Sequence, residues 1–216
     1  MRPVTVTAGP VGSTAANNIA LSQTPSGAGP ITLNGSLVTG GVAVLSTPQR
    51  ILITTTDTTH TFTVTGTTPT GTLVTEILQN AGTSITSQLD YKTVTSISVN
   101  AGLTAAVTVG NGGTPLAATP WVRLDEWANA QVGIQINVTG TVSYTVQSTM
   151  DDPNSATNPV TPSAVQWVNT NDTNVVNATS SLQTNYLFSP IFARVLLNSG
   201  SGSITATFVQ ANVANR

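Results

Sequence analysis

Apolar and polar residues alternate with a period of two over much of the chain, and the 3.6-residue period of a helix is almost absent. Four stretches carry the pattern most clearly, and each reads as a strand with its return. The first covers residues 50–56, turns near Asp57 and returns over 61–65, with Phe62 and Val64 on one side and Thr61, Thr63 and Thr65 on the other. The second covers 93–99, with 100–103 as a hairpin connection and a return over 105–109 before Gly110, Asn111, Gly112 and Gly113. In the third, Ile134, Ile136 and Val138 precede a turn at Thr139 and Gly140, and Val142, Tyr144 and Val146 line the same core from the returning strand. The fourth covers 193–197, turns through the glycine-rich residues 198–202 and returns over 204–209.

The order of these pieces has the form of a diverged internal duplication. Residues 51–66 match 133–148 in character, and 94–110 match 195–210. Simple alternation arising twice independently is the competing explanation. Between the clear strands lie two long excursions. Residues 114–130 hold Pro115, Pro120, Trp121, Asp125, Glu126 and Trp127; residues 151–185 hold Pro153, Pro159, Pro162 and Trp167. Loops that long are uncommon without strands of their own, and residues 165–168 are a candidate short strand. The expected division is an amino-terminal arm over 1–48 with short strands near 31–33 and 42–44, a first half-sandwich over 49–113, and a second over 114–216 with long insertions. Sheets with one apolar face bury it against another sheet. The predicted fold class is therefore all-β, an antiparallel β-sandwich or jelly-roll-like topology with long loops and an amino-terminal arm.

Composition changes the picture at the surface. The 216 residues include only six Lys or Arg and eight Asp or Glu, a charged share of 6%, against about 25% in an ordinary soluble domain. Thr, Ser, Asn, Gln and Gly must cover the outside, and a net charge of -2 gives copies little reason to repel one another. The absence of cysteine excludes disulfides, zinc–thiolate sites and thiol catalysis. No run of about 18 apolar residues predicts a membrane span, and no apolar signal-peptide block follows Met1 and Arg2, so synthesis in the cytoplasm and no membrane partner are expected.

Catalytic chemistry has few residues to work with. His60 is the single histidine, with Asp57 nearby but no defined nucleophile, so a turn or surface histidine is the expectation. Asp125 with Glu126 and Asp151 with Asp152 are adjacent pairs, which a strand would point to opposite faces. The run from Asp151 to Asn154 has oxygen ligands for calcium but not the full calcium-loop pattern, and a capped turn is the simpler reading. The scattered Arg and Lys residues form no basic patch, so no direct nucleic-acid contact is expected. The expectation is no enzyme, no cofactor and no metal. What remains is a set of candidate interface residues: Val4 and Val6 in the arm, Trp121, Trp127 and Trp167 in the excursions, and Tyr186 and Phe188 in the apolar run before the last strands. Each tryptophan serves equally well as an interface or sugar contact or as a cap on a sandwich core.

Three features taken together, the opening residues 1–7, the strand Lys92, Thr93, Val94, Thr95, Ser96 and Ile97, and Ala193, Arg194 and Val195 followed by Asn198, Ser199, Gly200, Ser201 and Gly202, resemble small Thr-, Val- and Gly-rich virion structural proteins of tailed bacteriophages. Within that group the nearest analogy is a capsid decoration, or cement, protein. The resemblance implies a homotrimer on the outer capsid surface of the virion, with the major capsid protein as partner, and no catalytic residues. A tail, fibre or head–tail accessory protein and a carbohydrate-binding β-sandwich are the alternatives. The arm reading adds an expectation: removing residues 1–30 should weaken particle binding more than folding of the carboxy-terminal half.

Overall fold

The computed structural model describes residues 3–125 and 131–210. The chain forms two compact units, Val11–Leu116, and Met1–Pro10 together with Ala117–Arg216. It opens with β1 (Val4–Ala8), which belongs to the second of these. The Val11–Leu116 unit follows with β2 (Ala20–Gln23), β3 (Gly29–Pro30), β4 (Val38–Thr39), β5 (Val42–Gln49), β6 (Leu52–Thr54), β7 (Thr61–Thr67), β8 (Leu73–Gln79), β9 (Ser84–Thr86), β10 (Tyr91–Val99) and β11 (Val107–Gly110). The chain then completes the unit it began, with β12 (Ala117–Ala118), β13 (Val122–Arg123), β14 (Val132–Thr139), β15 (Ser143–Thr149), β16 (Val168–Asn169), β17 (Val176–Ala178), β18 (Leu182–Tyr186), β19 (Phe192–Ser199) and β20 (Ser203–Gln210).

Each unit is an antiparallel β-sandwich of one four-stranded and one six-stranded sheet. In Val11–Leu116 the smaller sheet has the order β2-β11-β6-β9, and the larger runs β4-β5-β10-β7-β8 with β3 beside β10. In the other unit the smaller sheet is β1-β20-β14-β18; the larger is β12-β19-β15-β16, with β13 also on β19 and β17 also on β15. The two orders coincide. Let β2, β5, β6, β7, β8, β9, β10 and β11 take places one to eight in the first unit. Then β1, β12 with β13, β14, β15, β16 with β17, β18, β19 and β20 take the same places in the second. In both, places one, eight, three and six form the small sheet, and two, seven, four and five form the large one. The pairing of segments that the sequence pattern picked out, β6 with β14, β7 with β15, β10 with β19 and β11 with β20, is the pairing of equivalent places.

The alternating residues sit where their period puts them. Phe62, Val64, Ile97 and Val109 are buried in one core; Ile134, Ile136, Tyr144, Val146, Val195, Leu197, Ile204 and Phe208 are buried in the other unit. The four returns, however, are not hairpins. β6 and β7, β10 and β11, β14 and β15, and β19 and β20 each lie in different sheets, so every one of these turns crosses from one layer to the other. Two of the crossings lock together: Gly202 donates its N–H to the Thr141 carbonyl at 2.9 Å, and a Cβ on Gly200, whose φ is +103°, would collide with that same carbonyl oxygen.

The amino-terminal segment is not an arm. Val4 to Ala8 pair with Phe208 to Ile204, so the first strand of the chain closes the edge of a sheet built almost 200 residues later. Residues 11–48 belong to the other unit, and the junction between units falls after Leu116 instead of at the expected 48 and 113 boundaries. Residues 42–44 do lie in a strand, but 31–33 do not: Ile31 is buried and donates its N–H to Ile97 without continuing as a strand. The long excursion over 151–185 contains two 3-10 turns (Pro162–Ala164 and Thr173–Val175) and short strands, the first at Val168–Asn169 and not at 165–168.

Candidate functional site

The outer face of the six-stranded sheet in the carboxy-terminal unit carries an aromatic and cationic stack. Register places Phe192 opposite Thr149 and Arg194 opposite Gln147 on that face, with Ala193, Val195 and Leu197 turned to the core. The buried Arg194 guanidinium donates to the Gln147 Oε1 at 3.0 and 2.9 Å and lies over the Trp167 ring, 4.0 Å from its centroid. Trp121 meets Trp167 edge-on at 5.0 Å and Phe192 at 5.9 Å, and Arg123 covers the Phe192 ring at 5.4 Å while pairing with Asp152 at 3.0 Å. The Arg123 side chain holds the Asp152 carboxyl below its ordinary range. Trp121 and Trp167 are therefore half-buried and clasp the two excursions to the sheet. One face of Trp167 is occupied by Arg194. Trp127, the third candidate tryptophan, lies outside the described residues.

Tyr186 and Phe188 come together at 5.5 Å between ring centroids, but in different environments: Tyr186 is buried and Phe188 is 41% exposed. They sit in an open groove between β16 and β18, the strands that end the large and small sheets of this unit. One half, about 220 Å³, is lined by Met150, Val168, Tyr186, Phe188 and Pro190 among others; the other, about 280 Å³, continues past Asp172 and Leu187. Burial pushes the Tyr186 phenol up to about 12; the Ser148 hydroxyl opposes this, but no hydrogen bond of good geometry reaches the buried phenol oxygen. Leu187 belongs to the same apolar run as Tyr186 and Phe188, and Val168 follows Trp167 in the candidate strand over 165–168; Met150, which the sequence pattern did not single out, follows the polar Ser148 and Thr149 and precedes Asp151.

Val4 and Val6 are half-buried in β1, opposite Phe208 and Ala206, while Thr5 and Thr7 face outward and meet Thr207 and Thr205 through their hydroxyls at 3.1 and 3.2 Å. The other unit presents a comparable uncharged face on its six-stranded sheet. Thr63, Thr65 and Thr67 of β7 stand opposite Ile77, Thr75 and Leu73 of β8 and Ser98, Ser96 and Thr93 of β10. Leu73 and Ile77 are both 68% exposed. The two charges on these strands are withdrawn. Lys92 folds onto the Leu45 and Ser46 carbonyls at 2.8 Å, and Glu76 points inward, where it accepts the Gln88 and Leu89 N–H groups at 2.6 and 3.2 Å. Burial raises the Glu76 carboxyl above its usual range.

Of the residues considered for catalysis, Asp57 and Asp151 each bind the backbone of a loop. Asp57 accepts the backbone N–H groups of Thr104 and Ala105 and the Thr104 hydroxyl at 2.6–2.9 Å, and the Ala105 bond is the leading cause of its lowered pKa. His60 is half-buried, and its backbone carbonyl accepts from Asn80. Asp151 accepts the Gln166 N–H at 2.7 Å, so it and Asp152 serve different segments. Asp125 is exposed, and its neighbour Glu126 lies outside the described residues. Arg50 pairs with Asp90 at 3.1 Å and donates to the Ser87 carbonyl at 2.8 Å. Among the described residues, no three His, Asp or Glu side chains gather as a metal site, and no helix is long and apolar enough to cross a membrane.

No protein-family model matches the chain, and no curated protein sequence matches it.

Proposed function

We propose that this chain is a non-enzymatic structural protein of a bacteriophage virion, a cement protein that binds the major capsid protein on the outer surface of the shell as a homotrimer. The observation that carries this reading is the broad uncharged face of β7, β8 and β10, where hydroxyl, leucine and isoleucine side chains point outward and the local charges are turned away. Such a face makes many contacts without desolvating ions, and repetition over a symmetric shell multiplies modest affinity. We read the strand order of each unit as a jelly roll, an architecture used by viral capsid domains and lectins alike. The fold does not choose between those roles. The edge-on packing of Trp121 and the occupied face of Trp167 favour the structural role over sugar stacking.

The test is reconstitution. Particles prepared without this chain, incubated with the purified protein and imaged by cryo-electron microscopy, should acquire symmetric density over the capsid surface. Replacing both Leu73 and Ile77 by Glu should abolish that density while leaving the fold intact. Density confined to the tail or neck would replace this reading by the accessory-protein alternative, and glycan-dependent binding would replace it by the lectin alternative.

A further inference from the structure

We infer that the groove between β16 and β18 is a docking site for an extended peptide segment of another protein, one that seats an apolar side chain beside Met150, Val168 and Phe188 and presents a Lys or Arg to Asp172. Three observations carry this. The first is where the groove lies: β16 and β18 each end a sheet, so a chain laid between them has a strand edge on either side, the setting for strand addition. The second is chemical. Met150, Val168, Leu187 and Phe188 are 61%, 64%, 75% and 41% exposed, gathered around one concavity. Tyr186, only 3% exposed, lines both halves, and its ring packs against Phe188 at 5.5 Å between centroids.

The third observation selects the occupant. The apolar half, about 220 Å³ and open to solvent, has room for the anchoring side chain of a polypeptide. The second half holds a single charged group, the Asp172 carboxylate, fixed by the Thr184 hydroxyl at 2.7 Å and by the Asn174 N–H groups at 3.1 and 2.9 Å. A fixed anion beside an apolar pocket favours a cation close to the anchor in the bound segment. The inference stands on the groove alone and does not depend on the shell-binding reading.

An array of capped random octapeptides probed with the intact fluorescent protein tests it. Binders should share Leu, Ile, Met or Phe with a Lys or Arg one to three positions away. Resynthesised binders should shift amide resonances at residues 148–150, 168–172 and 185–190. Phe188→Ser and, as a second variant at a 75% exposed position, Leu187→Ser should each weaken binding at least about tenfold. Asp172→Asn should erase the preference for a basic residue. Finding no saturable binder below about 1 mM, a free energy near -4 kcal/mol, overturns the inference. So does binding that both serine variants leave unchanged, or sedimentation showing that a second copy of the chain occupies the groove.

Discussion

Ala8→Asp, measured beside Thr5→Asp, distinguishes a strand of the carboxy-terminal sandwich from a free arm. Ala8 is 4% exposed and faces Ile204, which is fully buried. A carboxylate placed there has no cation and little water, a situation worth several kcal/mol that the protein escapes by releasing β1 from β20. Release sets the limit on the cost. It forfeits the main-chain bonds along the register from Val4 to Ala8, at about 1 kcal/mol net each, and the partial burial of two valines, about 1 kcal/mol apiece. Regained backbone freedom of about 1 kcal/mol per residue offsets much of this. The balance is about 2–4 kcal/mol, or roughly 10–20 °C in Tm for a domain of about 100 residues. Thr5 is exposed, so its substitution should cost less than about 0.5 kcal/mol. The assay is urea unfolding followed by tryptophan fluorescence, because Trp121, Trp127 and Trp167 all lie beyond the Val11–Leu116 unit and none lies within it. A fluorescence midpoint for Ala8→Asp equal to that of Thr5→Asp and the parent chain would refute the reasoning.

Other consequences follow from single side chains. Trp167→Ala should lower stability by about 2–4 kcal/mol, since it uncovers the Arg194 guanidinium and removes the edge contact with Trp121; the same urea titration reads it. Glu76 has its folded pKa above the unfolded value of 4.5, so the folded state binds the proton more tightly and stability declines as pH rises from 4.5 through the folded pKa. Calorimetry across that interval should show a shallower decline in Glu76→Gln than in the parent. Asp57, Asp152 and Asp172 work in the opposite sense: their pKa values are lowered, so what they contribute is present above the unfolded value of 3.8 and lost as pH falls through their folded values. Asp57→Ala should speed hydrogen exchange at the Thr104 and Ala105 amides without changing that of Val64 in the core; equal acceleration at both places would show global loosening instead.

Strand existence was legible because period two reports which side of a strand faces a core. Ile134, Ile136, Tyr144 and Val146 were read correctly as lining one interior. The same pattern is silent about the next step. A tight turn after Val138 looks alike whether the chain pairs with its neighbour or crosses to the opposite layer, and in all four readable cases it crosses. The repeat of strand order was visible for a related reason, since β6 and β14 or β11 and β20 hold equivalent places in the two sandwiches. The location of β1 was not visible. Val4, Thr5, Val6 and Thr7 alternate cleanly, but nothing local says that their partner is residues 204–208. The interface candidates divide likewise. Aromatic residues stand out by type, so Trp121, Trp167, Tyr186 and Phe188 were found; whether each is clasped inward or exposed depends on Arg194, Gln147 and Met150, which are distant in sequence.

Copy number in native particles tests the central functional claim most directly. Quantitative mass spectrometry of purified virions, with isotope-labelled peptides from this chain and from the major capsid protein, gives the ratio of the two. The cement reading predicts a fixed ratio amounting to hundreds of copies per head, retained after tails are removed. A handful of copies per particle, or loss of the chain together with the tails, would contradict it.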